Sequence, residues 1–340
     1  MVAKEDLIPP EDRDLFKEAW NISRTIHGES ITFYLPGMVR IGRERGRYPA
    51  VSITGKRCEL MCEHCRGLLL EPMIPSWGPE DLIKKCLRLS RSGAHGILLS
   101  GGSDPAGKLP WGRYYRAIAE IKEQTGFHIS VHTGFPDQET CDELRKAGVE
   151  QALIDVMGDS ETSTRVYHLQ GLKQVVGALE SISRSGLGLV PHIVAGLYYG
   201  KMRAEHEALK IISHYKPSAL VVVVLTPLQG TPMAHVSPPH PVDVARLIAS
   251  ARVLLPDTPI SLGCERPRNY QGTILEKLAI MAGVNRMAVW SEEAVEKARS
   301  LGLKPRFQST CCSVKFRDSF CVQNDKASPG QTPLPARSRY

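Results

Sequence analysis

Residues 219–225 read ALVVVVL. Four consecutive valines at Val221–Val224 cannot form one stripe of an amphipathic helix, and their β-branched side chains favour an extended chain. A continuous apolar run of this length fits a strand covered on both faces, the habit of parallel sheets. Seven further short apolar runs recur along the chain, near 50–54, 96–100, 128–132, 152–156, 189–194, 259–262 and 287–290. Between them lie amphipathic segments, at 79–91, 111–124, 138–146, 171–185, 203–214 and 242–254. Several end on glycine (Gly93, Gly126, Gly148, Gly186), the residue that most easily takes the left-handed turn closing a helix. Strands alternating with helices signal βα units, and eight such units predict an α/β protein built as a (β/α)8 barrel of the TIM type. A doubly wound open sheet is the alternative, and eight repeats favour closure.

The barrel is expected over 50–302. Residues 1–49 read as a helical arm (about 11–26) followed by an extended stretch near 31–34. Residues 303–322 read as a C-terminal extension carrying cysteines, and the polar, Pro/Ser-rich 323–340 as a disordered tail. The composition, 42% hydrophobic and 23% charged with net charge +7 over 340 residues, is that of an ordinary globular protein. Its Lys and Arg are scattered rather than run together, so neither nucleic acid nor a membrane is expected as a partner. The start MVAKEDLIPPEDRD is charged, and no apolar run reaches the roughly 18 residues of a membrane span. A reducing, cytoplasmic setting is therefore expected, where clustered cysteines are metal ligands rather than disulfides.

Active sites of such barrels form at the carboxyl ends of the strands. Chemistry-bearing residues fall there repeatedly: Cys58, Cys62 and Cys65 after the first run; Gly101, Gly102, Ser103 and Asp104 after the second; His132 at the end of the third. Asp155, Asp159 and Glu161 follow with the fourth, His192 and Gly196 with the fifth, Gly230 and Thr231 after the sixth, and Cys264, Arg266 and Arg268 after the seventh. Three thiolates spaced C-x3-C-x2-C on one loop can converge on a soft metal centre with one coordination position left without a protein ligand. A closed zinc site would want a fourth Cys or His nearby. His64 is the local candidate, but it is pinned between two ligands and badly placed for the same ion. A zinc knuckle, inert buried thiols and a non-catalytic metal-binding protein are the competing readings. Cys86 and Cys141, inside predicted helices, read as core thiols.

The segment TGKRCELMCEHCRG (54–67) resembles the signature of the radical S-adenosylmethionine (SAM) superfamily. The resemblance implies a [4Fe–4S] cluster on Cys58, Cys62 and Cys65, with SAM completing the fourth iron. One electron from the cluster would cleave SAM to a 5′-deoxyadenosyl radical that abstracts hydrogen from an unactivated carbon. Many members carry an aromatic residue where His64 stands. By the same resemblance, Gly101-Gly102-Ser103 is similar to the GGE-type loop that holds the SAM amino group, with Ser103 in place of the acid. HIVAGL (192–197) is similar to the fifth-strand stretch against the adenine, and LTPLQGTPM (225–233) to the sixth-strand loop of the biotin-synthase-like branch. The resemblance would have Asp155, Asp159 and Glu161 meet the ribose; a solvated acidic loop is the alternative.

Within that branch, Ser100 and His132 occupy positions where biotin synthase has cysteines for its sulfur-donating cluster, which argues against that activity. RYPAVSITGKRCELMCEHCRG, DSETSTRVYHLQG, LGCERPRN and TCCSV most resemble the split, two-subunit lipoyl synthase. That likeness implies a second cluster on Cys264, Cys311 and Cys312, with Cys321 a further candidate, formed as the C-terminal segment folds across the barrel mouth. Arg266 and Arg268 would anchor a carboxylate or that cluster. It also implies sulfur insertion at carbons 6 and 8 of an octanoyl chain on a carrier protein, a paralogous radical SAM subunit, and an electron donor such as ferredoxin or flavodoxin. The alternative is a maturase, mutase or other carbon-radical enzyme with a single essential cluster.

Overall fold

The computed structural model describes residues 7–41 and 44–322; the tail expected to be disordered lies outside them. Among the described residues thirteen strands occur in chain order: β1 (Ser30–Tyr34), β2 (Arg40–Ile41), β3 (Glu44–Arg45), β4 (Ala50–Ser52), β5 (Ile74–Pro75), β6 (Gly96–Ser100), β7 (His128–His132), β8 (Gln151–Asp155), β9 (Gly188–Ala195), β10 (Leu220–Val224), β11 (Ile260–Leu262), β12 (Arg286–Ala288) and β13 (Lys304–Gln308). The ten α-helices are α1 (Arg13–His27), α2 (Pro79–Arg91), α3 (Tyr115–Thr125), α4 (Gln138–Lys146), α5 (Ser160–Tyr167), α6 (Leu172–Ser185), α7 (Glu205–Ser213), α8 (Pro241–Leu254), α9 (Tyr270–Met281) and α10 (Glu292–Ser300). None of them is long and apolar enough to cross a membrane.

All eight expected strands are present, as β4 and β6 to β12. Together with β1, β5 and β13 they form one eleven-stranded parallel sheet in the order β13-β1-β12-β11-β10-β9-β8-β7-β6-β4-β5. The sheet curls into a partial (β/α) barrel. Its outermost strands, β13 and β5, do not pair with each other; the seam is bridged where the Arg47 N–H donates to the Ser309 carbonyl at 3.1 Å. Two of the strands come from outside the eight repeats. β1 lies between β12 and β13, pairing Phe33 with Met287 on one side and with Phe307 on the other. The N-terminal arm and the C-terminal extension are thus both woven into the sheet.

The valine run explains why the barrel holds. Successive strand residues point to opposite faces. Leu220, Val222 and Val224 therefore pack outward into the core beneath the helices, while Val221 and Val223 point into the barrel with Tyr34, Leu153, Val190 and Ala288. Local chemistry sets the helix ends. Asp137 and Asp159 accept the Thr140 and Thr162 N–H groups as N-caps of α4 and α5, and Gly126 and Gly186 close α3 and α6 at positive φ. The arm docks through a bidentate pair, Arg246 Nε and Nη2 on the Asp12 carboxylate at 2.7 and 2.8 Å.

Candidate active site

The cysteine loop leaves the carboxyl end of β4 and is held by its neighbours rather than by internal secondary structure. Thr54 Oγ1 accepts the Gly102 N–H at 2.7 Å. The Ser103 carbonyl accepts from Glu59 and Leu60 at 2.8 and 3.2 Å. Further on, the Glu63 N–H donates to Val166 O at 2.9 Å, tying the loop to the end of α5, and the Glu63 carboxylate receives Arg66 (2.6 Å) and His168 (3.1 Å). Met61 and Arg66 sit at φ of 47° and 45°, a left-handed backbone that non-glycine residues adopt only when their surroundings impose it. These two bends bracket Cys62 and Cys65 and turn both sulfurs inward.

The glycine pair serves close backbone approach rather than a left-handed bend. Neither glycine has positive φ. A Cβ on Gly102 would lie 1.9 Å from Arg57 O and 2.6 Å from Cys58 Cβ. The GG step therefore lets the β6 loop back directly against the first cysteine.

Cys62 and Cys65 are buried side by side. The proton between them lowers the Cys65 thiol and raises that of Cys62, so a thiolate is favoured beside a thiol. His64 departs from its expected placement. Instead of turning away, one of its ring nitrogens lies with the Cys62 and Cys65 sulfurs in a set whose members are all within 4.8 Å. Cys58 stands outside that set, its Sγ 4.0 Å from Ser103 O. Thiolate-rich donors select iron–sulfur clusters or zinc. Two adjacent sulfurs with a third set apart suit the corners of a cube better than one small ion. The residues thus fit a [4Fe–4S] cluster ligated by Cys58, Cys62 and Cys65.

His132 ends β7 and His192 lies on β9 in register with Asp155, their rings 5.2 Å apart. Burial lowers both pKa values, that of His192 to about 4, so the pair is neutral at pH 7. Asp155 accepts from the Tyr167 hydroxyl at 2.6 Å. Asp159 and Glu161 are both engaged by Arg203, at 2.6 and 2.5 Å, and Glu161 also by the Tyr198 hydroxyl at 2.5 Å. Gly196 turns at φ 76°, its N–H on Glu205 Oε1 at 2.8 Å. Gly230 turns at φ 83°, and Thr231 donates its hydroxyl to Leu228 O at 2.8 Å, closing the loop after β10.

Arg266 is not an outward anchor. Its side chain is fully buried; Nη1 donates to Gly263 O and Ala288 O, and Nη2 to Val289 O and Glu276 Oε1. Only Nε is without a partner. The residue ties the ends of β11 and β12 together because a buried guanidinium must satisfy its donors locally. Arg268 Nη2 donates to the Cys264 carbonyl, and burial lowers its pKa to about 10. Sequence reasoning missed Tyr167 and Glu205. Glu265, next to Cys264 after β11, is pushed up by burial beside Thr226 and Arg268.

The C-terminal segment does not fold across the mouth. It approaches the opposite, amino end: Phe320 stacks on His95 just before β6, centroids 4.7 Å apart. From there the turn Cys311–Val314 enters the barrel. Its carbonyls are taken by Gln151 and Arg286, the first residues of β8 and β12 (Ser313 O at 3.0 and 2.8 Å), and by the Tyr34 hydroxyl (Val314 O at 3.0 Å). Deep anchoring by strand-starting side chains outweighs the exposed path over the mouth. Cys311, Cys312 and Cys264 consequently lie in the barrel interior among Leu98, Val190, Val194 and Val221. Among the described residues the three do not form a ligand set like that of Cys62, His64 and Cys65. Cys321 pairs back onto Gln308 through a β-bridge. Cys86 and Cys141 are buried, as expected of core thiols.

A family model described as the radical SAM superfamily matches residues 52–212, from β4 through α7. Biotin synthase of Bordetella avium (strain 197N) is 20% identical over 236 residues, 67% of this chain and 69% of that protein. Biotin synthase of Pelotomaculum thermopropionicum is 22% identical over 284 residues, 82% of this chain and 84% of that protein. In other biotin synthases the matched stretch falls to 49% of their length. Methylornithine synthase shares the fold with TM-score 0.60 at 18% identity, 90% of each chain being covered. The [FeFe]-hydrogenase maturase HydG of Carboxydothermus hydrogenoformans does so with TM-score 0.58 at 20% identity, covering 91% of this chain and 74% of that one. From β4 through α7, with its three-cysteine loop at the carboxyl end of β4 in a partial (β/α) barrel, the chain thus matches the radical SAM superfamily, and the relatives it resembles at 20–22% identity are biotin synthases.

Proposed function

We propose that the chain is a sulfur-inserting radical SAM enzyme of the lipoyl synthase type, acting on an octanoyl group carried by a lysine of a carrier protein. When bound, the cluster and SAM supply a 5′-deoxyadenosyl radical able to take hydrogen from an unactivated carbon. Cys58, Cys62 and Cys65 hold the cluster; the GG step fixes Cys58, and the neutral His132–His192 pair with Asp155 lines the mouth. The net change at the substrate is replacement of one C–H bond by a C–S bond at each of carbons 6 and 8.

One observation carries this reading: three thiols, Cys264, Cys311 and Cys312, reach the barrel interior below the cysteine loop, within an aliphatic lining. Aliphatic walls suit a hydrocarbon chain, and thiols there suit a second iron–sulfur cluster as sulfur source. A paralogous radical SAM subunit and a small electron-transfer protein such as ferredoxin or flavodoxin are the proposed partners. The rival is a radical maturase or mutase with one essential cluster, favoured by the fact that the three inner thiols do not converge as closely as Cys62 and Cys65.

An anaerobic assay with an octanoyl-lysine peptide, following 5′-deoxyadenosine and thiolated product by mass, separates the two. Sulfur gain, with about eight iron per chain falling to about four in a Cys311→Ala/Cys312→Ala variant, is expected from two four-iron clusters. Deoxyadenosine without sulfur gain, at four iron per chain, leaves the single-cluster reading standing.

A further inference from the structure

We propose that His64 donates a hydrogen bond to the Cys65 sulfur and thereby raises the reduction potential of the cluster on the cysteine loop. The inference rests on the match of residues 52–212 to the radical SAM superfamily and on the fit of the three cysteines, and is independent of the sulfur-insertion reading.

The ring is held in place from several sides. Its centroid lies 5.1 Å from that of Tyr167, whose hydroxyl is fixed on Asp155. The loop on either side of it is pinned by the Glu63 N–H on Val166 and by the Glu63 carboxylate on Arg66 and His168. A ring nitrogen lies within 4.8 Å of both the Cys62 and the Cys65 sulfurs. Nδ1 is buried and has no hydrogen-bond partner among the described residues. Buried polar groups are seldom left unpaired without a functional reason.

The Cys62 thiol, the His64 ring and the Gly67 N–H are the groups placed to donate to the Cys65 sulfur. Once Cys62 binds iron it has no proton to give, so His64 and Gly67 are the donors that remain. Hydrogen bonds to cluster sulfurs favour the more electron-rich, reduced state. Phenylalanine at this position keeps the packing on Tyr167 and removes the donor. The added electron strengthens this bond, so losing it should lower the reduced-to-oxidised ratio at fixed potential by up to about tenfold. For a one-electron couple that is a downward shift of about 59 mV.

The test is an EPR-monitored redox titration of the reconstituted, SAM-free holoprotein, wild type against His64→Phe and His64→Asn. The expected result is full iron content in all three, a lowered midpoint in His64→Phe and partial recovery in His64→Asn, whose amide again offers a donor. An unchanged midpoint in His64→Phe at full iron overturns the proposal. So does loss of iron in both variants, or a strongly coupled nitrogen in the pulsed EPR spectrum of the wild-type cluster, either of which would make His64 a ligand. Absence of sulfur insertion would leave these measurements untouched.

Discussion

Replacing Gly102 by alanine puts a methyl carbon 1.9 Å from Arg57 O, 2.5 Å from Cys58 Cα and 2.6 Å from Cys58 Cβ. An ordinary carbon–oxygen contact needs more than 3 Å, so one of the two backbones must retreat by about 1 Å. Neither can do so freely. The Gly102 N–H is bonded to Thr54, and the next carbonyl, that of Ser103, holds Glu59 and Leu60. The strain falls on Cys58, and overpacking of this kind costs about 1–3 kcal/mol. Gly101→Ala is the control, because its methyl group would meet only side-chain atoms of Ile53 and Thr54, at 3.1–3.2 Å. Iron per chain after anaerobic reconstitution should drop sharply in Gly102→Ala and stay near wild type in Gly101→Ala. The melting temperature of the apo-protein should fall by a few degrees in the former. Full iron and an unchanged melt in Gly102→Ala would refute the idea that the glycine exists to seat Cys58.

Arg266→Met strands the buried Glu276 carboxylate and should cost about 3–5 kcal/mol by urea denaturation, most of it recovered in Arg266→Met/Glu276→Leu; equal losses in single and double variants would contradict this. Glu205→Ala leaves the Gly196 and Arg203 N–H groups, now at 2.8 and 2.7 Å from its oxygens, without acceptors. A loss of about 1–3 kcal/mol per stranded group should appear in the same measurement. Burial holds His128 at about 4 in the fold, below its ordinary value near 6.5. Below pH 6.5 the unfolded chain binds a proton that the folded one refuses. Apo-protein stability is therefore fully present above that pH and should fall toward pH 4 by up to about 1.4 kcal/mol per pH unit. His128→Asn should flatten this slope when denaturation is compared at pH 7, 6 and 5.

The parallel α/β class, the eight core strands and the cysteine loop were legible because each is a local pattern. The valine run, the recurring helices and the C-x3-C-x2-C spacing all lie within a few residues of chain. α5, α9 and α10 escaped notice: the hydrophobic stripe of α5 is short, and α9 is apolar on most sides. Only the folded chain decided that β1 slots between β12 and β13, that the Cys311–Val314 turn enters the barrel from its amino end, that Arg266 is consumed by Glu276 and three carbonyls, and that His64 turns toward the sulfurs. Each of these outcomes depends on groups far apart in sequence satisfying one another's hydrogen bonds in a buried space. Which distant partner wins is settled by packing, which no short stretch of sequence contains.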